Sequence, residues 1–189
     1  QNGWLDLATD ALDFIHDHLW DGDTLFATWT GGHAKHHGYL DDYANLLDAL
    51  LVSLRVRWRD KDAMLAKRLA DSLIERFYDE KEGGFFFTAH DQEQLFHRPK
   101  PSMDYELPSG NGIAAKALNE LGNLMGSPKY IDAAAGALKW ARAALERFPT
   151  EHSSLIESLE EQTYPSQQVV IRGPEEEISA WQESLDQQY

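Results

Sequence analysis

From Trp4 to Leu19, apolar residues (Trp4, Leu5, Ala8, Ala11, Leu12, Ile15, Leu19) recur at helical spacing while Asp6, Asp10, Asp13 and Asp17 fall elsewhere. The pattern predicts a helix with one wet side, an outer helix. Between Trp20 and Gly38 the period breaks into Asp21-Gly22-Asp23, then Leu25-Phe26-Ala27-Thr28-Trp29, then Gly31-Gly32, which reads as turn, short strand, turn and predicts a small hairpin. Tyr39 to Leu54 differs in kind. Its apolar residues, among them Leu40, Tyr43, Leu46, Leu47, Leu50, Val52 and Leu54, point in nearly every direction around a helix, so this segment is expected to be enclosed by other helices. Lys61 to Phe77 returns to a single stripe through Leu65, Leu69, Leu73 and Phe77, with Arg68, Asp71 and Glu75 facing out.

A second hairpin is expected in Tyr78 to Thr88, around Gly83-Gly84. Ser109 to Met125 then carries Ile113, Ala114, Ala115, Ala117, Leu118, Leu121 and Leu124, small and apolar enough for close helix packing, and Gly126-Ser127-Pro128 stops one helix and starts another. Tyr130 to Phe148 shows one stripe through Ala134, Leu138, Ala141 and Leu145, and His152 to Glu160 reads as a short third inner helix. The order is outer, inner, outer, inner, outer, inner. An internal repeat supports it: Leu19-Trp20-Asp21, then Leu25-Phe26-Ala27-Thr28, then a buried helix resembles Phe77-Tyr78-Asp79, then Phe85-Phe86-Phe87-Thr88, then a buried helix, with a period of about 60 residues.

The expected fold is mainly α, a partial (α/α) toroid of helical hairpins over residues 1–163 with small β-hairpin insertions. A straight helical solenoid is the competing layout. Residues 164–189 form a strand-helix extension, with a strand at Gln168-Val169-Val170-Ile171, a stop at Gly173-Pro174 and a helix from Glu175 to Gln187. A lone strand without a partner in reach, and an opening directly in an amphipathic pattern, both lead us to expect a piece of a longer chain.

With 189 residues, 42% of them hydrophobic, and six Trp, the chain can bury one sizeable core. Its formal charge of −15 argues against nonspecific binding to nucleic acid or an anionic membrane, since both would repel it. Absence of cysteine excludes disulfides, thiolate metal sites and thiol redox chemistry within these residues. No apolar run reaches the roughly 20 residues a membrane span needs, and no basic leader precedes the first helix. The expectation is a cytoplasmic protein without a cofactor.

Chemistry concentrates in Arg98 to Gly112. Pro108 cannot lie inside a helix, and Ser109 or Asn111 can accept a bond from the free amides of a first turn, so a helix starts here. Gly110 and Gly112 leave room for a ligand or another backbone. Arg98 and Lys100 lie one loop upstream of Asp104, so opposite charges can meet near a helix N-terminus, which itself favours anions. The plainer reading is a capped loop whose ions merely pair.

Gly38-Tyr39-Leu40-Asp41-Asp42-Tyr43-Ala44, Gly83-Gly84-Phe85-Phe86-Phe87-Thr88, Arg98-Pro99-Lys100 leading to Asp104 and Pro108-Ser109-Gly110-Asn111, and Val169-Val170-Ile171-Arg172-Gly173 together resemble the C-terminal region of a thioredoxin-domain family, that of the spermatogenesis-associated proteins of mammals and their bacterial relatives. The resemblance covers nearly the whole chain. It implies a thioredoxin-like domain elsewhere in the full protein, followed by an (α/α) toroid of the six-hairpin glycosidase type, similar to sugar epimerases and hydrolases, of which about the later half is present. The family's Asp-Gly-Ala before Pro-Ser-Gly-Asn stands here as Asp104-Tyr105-Glu106-Leu107.

Asp41 and Asp42 open the first buried helix, where a carboxylate pair can act as acid and base on a glycosidic bond. Adjacent residues diverge by about 100° around a helix, so at most one reaches a given ligand atom, and Asp104 is the better partner for either. Stabilising the helix dipole is the alternative role. His37, with His33 and His36, lies in the loop before that helix. These could serve as base or metal ligands, but an ordinary surface role is the default for such a loop and no metal is expected. Tyr39, Tyr43, Arg98, Lys100, Ser109 and Asn111 complete the expected substrate-binding set, and Trp29, Phe85, Phe86 and Tyr105 could wall a sugar ring or pack in the core. Asn45 and Asp48 read first as structural hydrogen-bonders. The sequence therefore suggests a small sugar-like ligand, or else a noncatalytic interaction scaffold. In both cases half a ring leaves apolar surface for self-association or for the missing half.

Overall fold

The computed structural model describes residues 3–92, 97–165, 167–174, 177–179, 181 and 184. Among the described residues the α-helices α1 (Gly3–His18), α2 (Leu40–Val56), α3 (Asp60–Phe77), α4 (Gly110–Met125), α5 (Pro128–Arg147) and α6 (Ser153–Thr163) follow one another along the chain. Between α1 and α2 lie β1 (Phe26–Thr30) and β2 (His33–His37), antiparallel, with Phe26 opposite His37 and Thr30 opposite His33. Gly31 and Gly32 close the hairpin at φ 62° and 79°, left-handed values that a side chain would strain. Among the described residues the fold is thus mainly helical with one small two-stranded sheet.

Helix α4 packs against α2 on one side, α6 on the other and α5 behind, while α3 backs α2. The expected alternation appears as an inner row, α2–α4–α6, against an outer row, α1–α3–α5. The small residues of α4 allow this. Gly110 to Ala115, Ala117 to Asn119, Leu121 and Gly122 are all buried, and a Cβ on Gly122 would meet Ile131 Cγ1 at 2.7 Å. Leu40, Leu47, Leu50, Leu69, Leu73, Leu118, Leu121 and Leu155 are fully enclosed, each contributing about 1.5–3 kcal/mol of apolar burial.

The connections 19–39, 78–109 and 148–152 gather at one end, where the Leu40 N–H donates to Phe87 O and the Asp104 N–H to Glu151 O. There the internal repeat becomes geometry. Trp20 bridges to Leu25 and Tyr78 to Phe85, the Phe26 N–H donates to Leu19 O, and the Phe86 N–H donates to Phe77 O. Asp21 Oδ1 accepts the Asp23 and Thr24 N–H groups, and Asp79 Oδ1 accepts those of Lys81 and Glu82. In the first unit the Leu25 N–H donates to Tyr43 Oη, and in the second the Phe85 N–H donates to Asn111 Oδ1.

Three expectations need correction. The segment Tyr78 to Thr88 holds one isolated bridge, not a hairpin, because its turn is pressed onto α5: a Cβ on Gly83 would stand 2.3 Å from Gly136 O. Helix α2 is not enclosed all round, since Asn45, Ala49 and Val52 are exposed. Gln168 to Ile171 form no strand; among the described residues no ladder partner reaches them, and Val169 and Val170 lie exposed. Residues 177–179, 181 and 184 are helical, and the rest of the expected terminal helix, Leu185 included, lies outside the described residues.

Candidate functional site

The N-terminus of α4 sits wedged between those of α2 and α6, and two glycines make the fit. A Cβ on Gly110 would lie 2.1 Å from Asp41 Oδ1, and one on Gly112 would lie 2.1 Å from Ser154 Oγ. Ser109 is the N-cap, its Oγ accepting the Gly112 N–H at 3.1 Å. Asp104 ties the helices together: Oδ1 accepts the Ser109 N–H (2.8 Å) and the Ser154 hydroxyl (2.5 Å), and Oδ2 accepts the Ser154 N–H (2.9 Å). Burial raises the Asp104 pKa, but these bonds outweigh it and hold the carboxyl below its ordinary value.

The other rim residues are distributed around this junction. Lys100 does not pair with Asp104. Its Nζ donates to Asp79 Oδ2 (2.7 Å) and Gly83 O (3.0 Å), holding the Asp79 carboxyl below its usual range. Arg98 lies over the Phe86 ring, 4.1 Å from its centroid, and donates to Thr88 O, with its Nε buried and unbonded. Tyr39 stacks on Phe87 at 4.8 Å. Tyr43 is buried against Phe77. Asn111, fully buried, donates to Phe85 O and Pro101 O besides accepting the Phe85 N–H. Asp42 Oδ2 accepts the Tyr39 N–H, a helix-start role. His37 is exposed, edge-on to Phe26. Asp41 and Asp104 therefore flank the same helix start from different sides, whereas Arg98 and Lys100 gather on Phe86.

A further set emerges on the inner row. Asp41, Asn45, Asp48, Val52 and Arg55 are spaced three and four apart and share one side of α2. Facing them are Lys116 and Glu120 of α4 and Glu157 and Glu161 of α6. Arg55 forms a two-pronged ion pair with Glu120, and Lys116 bonds Glu157 at 3.0 Å and stands 4.0 Å from Asp48 Oδ1. The Oδ1 atoms of Asp41 and Asp48 are buried, near the Gly110 N–H and the Lys116 ammonium respectively. Burial pushes Asp41 upward, with repulsion from Asp42 adding and the nearby Gly110 N–H opposing. Burial likewise raises Asp48 and Glu161, against the pull of Lys116. An open face carrying carboxyls with raised proton affinity beside a fixed ammonium can donate a proton and hold hydroxyl groups. The signal in the sequence was the polar break at 41, 45, 48 and 55 in an otherwise apolar helix.

Among the described residues no group of three or more His, Asp or Glu is placed to hold a metal ion, and no helix is long and apolar enough to cross a membrane. A small open hollow lies elsewhere, between α1 and α3, lined by His16, Trp20, Lys61, Met64, Leu65 and Arg68.

No family model matches the chain. Human spermatogenesis-associated protein 20 is 28% identical over 188 residues, covering 92% of this chain and 23% of that protein. The mouse and rat proteins of the same name are each 28% identical over 182 residues, covering 88% of this chain and 22% of theirs. The chain spans less than a quarter of the length of these relatives, and over nearly all of its own length it is similar to a segment of mammalian spermatogenesis-associated protein 20.

Proposed function

We propose that this chain is part of a cytoplasmic, thioredoxin-domain-bearing protein with an (α/α) toroid, and that the open side of α2, α4 and α6 is a carbohydrate-binding surface for epimerisation or hydrolysis. One observation carries the reading: Asp41 and Asp48 share that side, each with an enclosed carboxyl oxygen and raised proton affinity. Their α-carbons are two turns apart, about 10 Å, and carboxyls leaning toward each other from that spacing come within the roughly 6.5–9.5 Å that admits a water in inverting hydrolysis. In this scheme Asp41 acts as acid and Asp48 as its partner. Lys116 orients hydroxyl groups, and Asp104 positions the helix starts without touching substrate.

The test is titration of neutral, amino and acidic mono- and disaccharides into the chain, followed by ligand-observed NMR, with Asp41→Asn and Asp48→Asn as controls. Binding by one class, weakened at least tenfold in both variants, supports the proposal. Binding by none, here or in a full-length relative, removes it.

A noncatalytic scaffold is the second reading, and it has its own support. Arg55–Glu120 and Lys116–Glu157 neutralise much of this face, and Val52, Val56, Ile156 and Leu159 lie open around it. In that case the face is covered by a second copy or by the remainder of the ring.

A further inference from the structure

Helix α1 carries more apolar surface than its neighbours cover. Leu12 is its one buried residue among those described, with Leu5, Thr9, Ile15 and Leu19 partly covered. A second stripe, Trp4, Leu7, Ala11, Phe14 and His18, runs three and four residues apart along the outward side. Trp4 is 85% exposed, Leu7 62% and Phe14 43%. Trp29 of β1 extends the stripe, its ring 4.7 Å from His18 and 6.2 Å from Phe14. Spacing of this kind makes a seam that another helix fills knob into hole, and an outward helix face this greasy is out of place in water.

The edge of the stripe identifies what fits it. Asp6 and Asp13 turn toward Arg57, Arg59 and Lys61 of the α2–α3 connection and α3. Among the described residues Asp10 makes no ion pair, and Asp17 pairs only with His16. Both stand beside the seam as spare negative charge. A second copy would bring the same acidic edge and another −15 of charge. An anionic bilayer would be repelled for the same reason, whereas an amphipathic helix with Lys or Arg beside its apolar seam would satisfy both features.

We infer that the outward face of α1 and Trp29 is a docking seam for an amphipathic helix from outside these 189 residues, apolar at three-four spacing and basic along one flank. The experiment uses two labelled synthetic helices with the same leucine seam, one flanked by lysine and one by glutamate, titrated by fluorescence anisotropy into the whole chain. The lysine-flanked helix is expected to bind at least tenfold more tightly than the glutamate-flanked one. A charge-neutral Trp4→Ser/Leu7→Ser variant should lose at least tenfold. Asp10→Asn/Asp17→Asn should lose several-fold and show a shallower salt dependence. Circular dichroism checks that each variant keeps its helices, and Leu7→Ser alone serves if the double variant does not. Equal binding of both helices, or binding unchanged in the seam variants, overturns the inference. So does a dimer in sedimentation that Trp4→Ser/Leu7→Ser dissolves, or seam-dependent binding to phosphatidylcholine–phosphatidylserine vesicles.

Discussion

At Asp104 one carboxylate accepts three donors from two helix starts. Asp104→Ala should lower stability by about 2–3 kcal/mol, the cost of lost caps and of charge-assisted bonds, read from urea unfolding. Because the folded pKa is depressed, this contribution is fully present above the unfolded value of 3.8 and disappears as pH falls through the lower folded value. The difference between wild type and Asp104→Ala should therefore shrink below about pH 4. Gly112→Ala, whose Cβ would press on the Ser154 backbone carbon at 2.9 Å, should cost about 1–3 kcal/mol by overpacking. Its cost should exceed that of Gly110→Ala, where the nearest atom is the movable end of Asp41. The Ser109 cap was legible because capping is local. The Asp104–Ser154 bond was not, since nothing near Asp104 in sequence points to a serine 50 residues on.

Elements repeat here as partners as well as shapes. The N–H that follows each rim turn is received by a side chain of the next inner helix, Tyr43 in one unit and Asn111 in the other. Tyr43→Phe strands one buried donor and should cost about 1–2 kcal/mol, whereas Asn111→Ala strands a donor and two carbonyls and should cost about 3 kcal/mol or more. Thermal unfolding of the two variants in parallel would rank them. Periodicity alone gave the helix order, since stripes at 3.6 residues survive any tertiary detail. The second hairpin was over-read because Gly83-Gly84 marks a turn equally well with or without a following ladder. What decides is Gly136 and Trp140 of α5 lying against that turn, and this is invisible in the local pattern. Helix α1 was read as having one apolar side with Trp4 and Ala11 on it, whereas the structure turns both outward in line with Leu7 and Phe14, away from the side that buries Leu12. The pattern missed this because Leu7 and Phe14 lie off the stripe it followed.

Across the whole molecule, the row of carboxyls on α2, α4 and α6 carries an electrostatic cost. A raised folded pKa on Asp48 means its favourable contribution is complete below the unfolded value of 3.8 and is lost as pH rises through the folded one. At pH 7 the buried charge is a cost, so Asp48→Asn should raise the melting temperature there, by about 2–4 °C, and do little near pH 3. Apolar positions left open beside that row lead us to expect concentration-dependent association, and a monodisperse monomer in sedimentation would argue against it. Sequence reading placed the polar rim correctly at one end. It looked for a carboxyl pair in Asp41 or Asp42, at the start of the first inner helix, with Asp104 from the loop, and read Asp48, on the same side of that helix as Asp41, as a structural hydrogen-bonder.

The connections between helices are unequal: residues 57–59 and 126–127 join helices at one end, while 19–39 and 78–109 span the other. A change of length in the long connections is therefore expected to disturb the stacked helices less than one in the short turns at the other end.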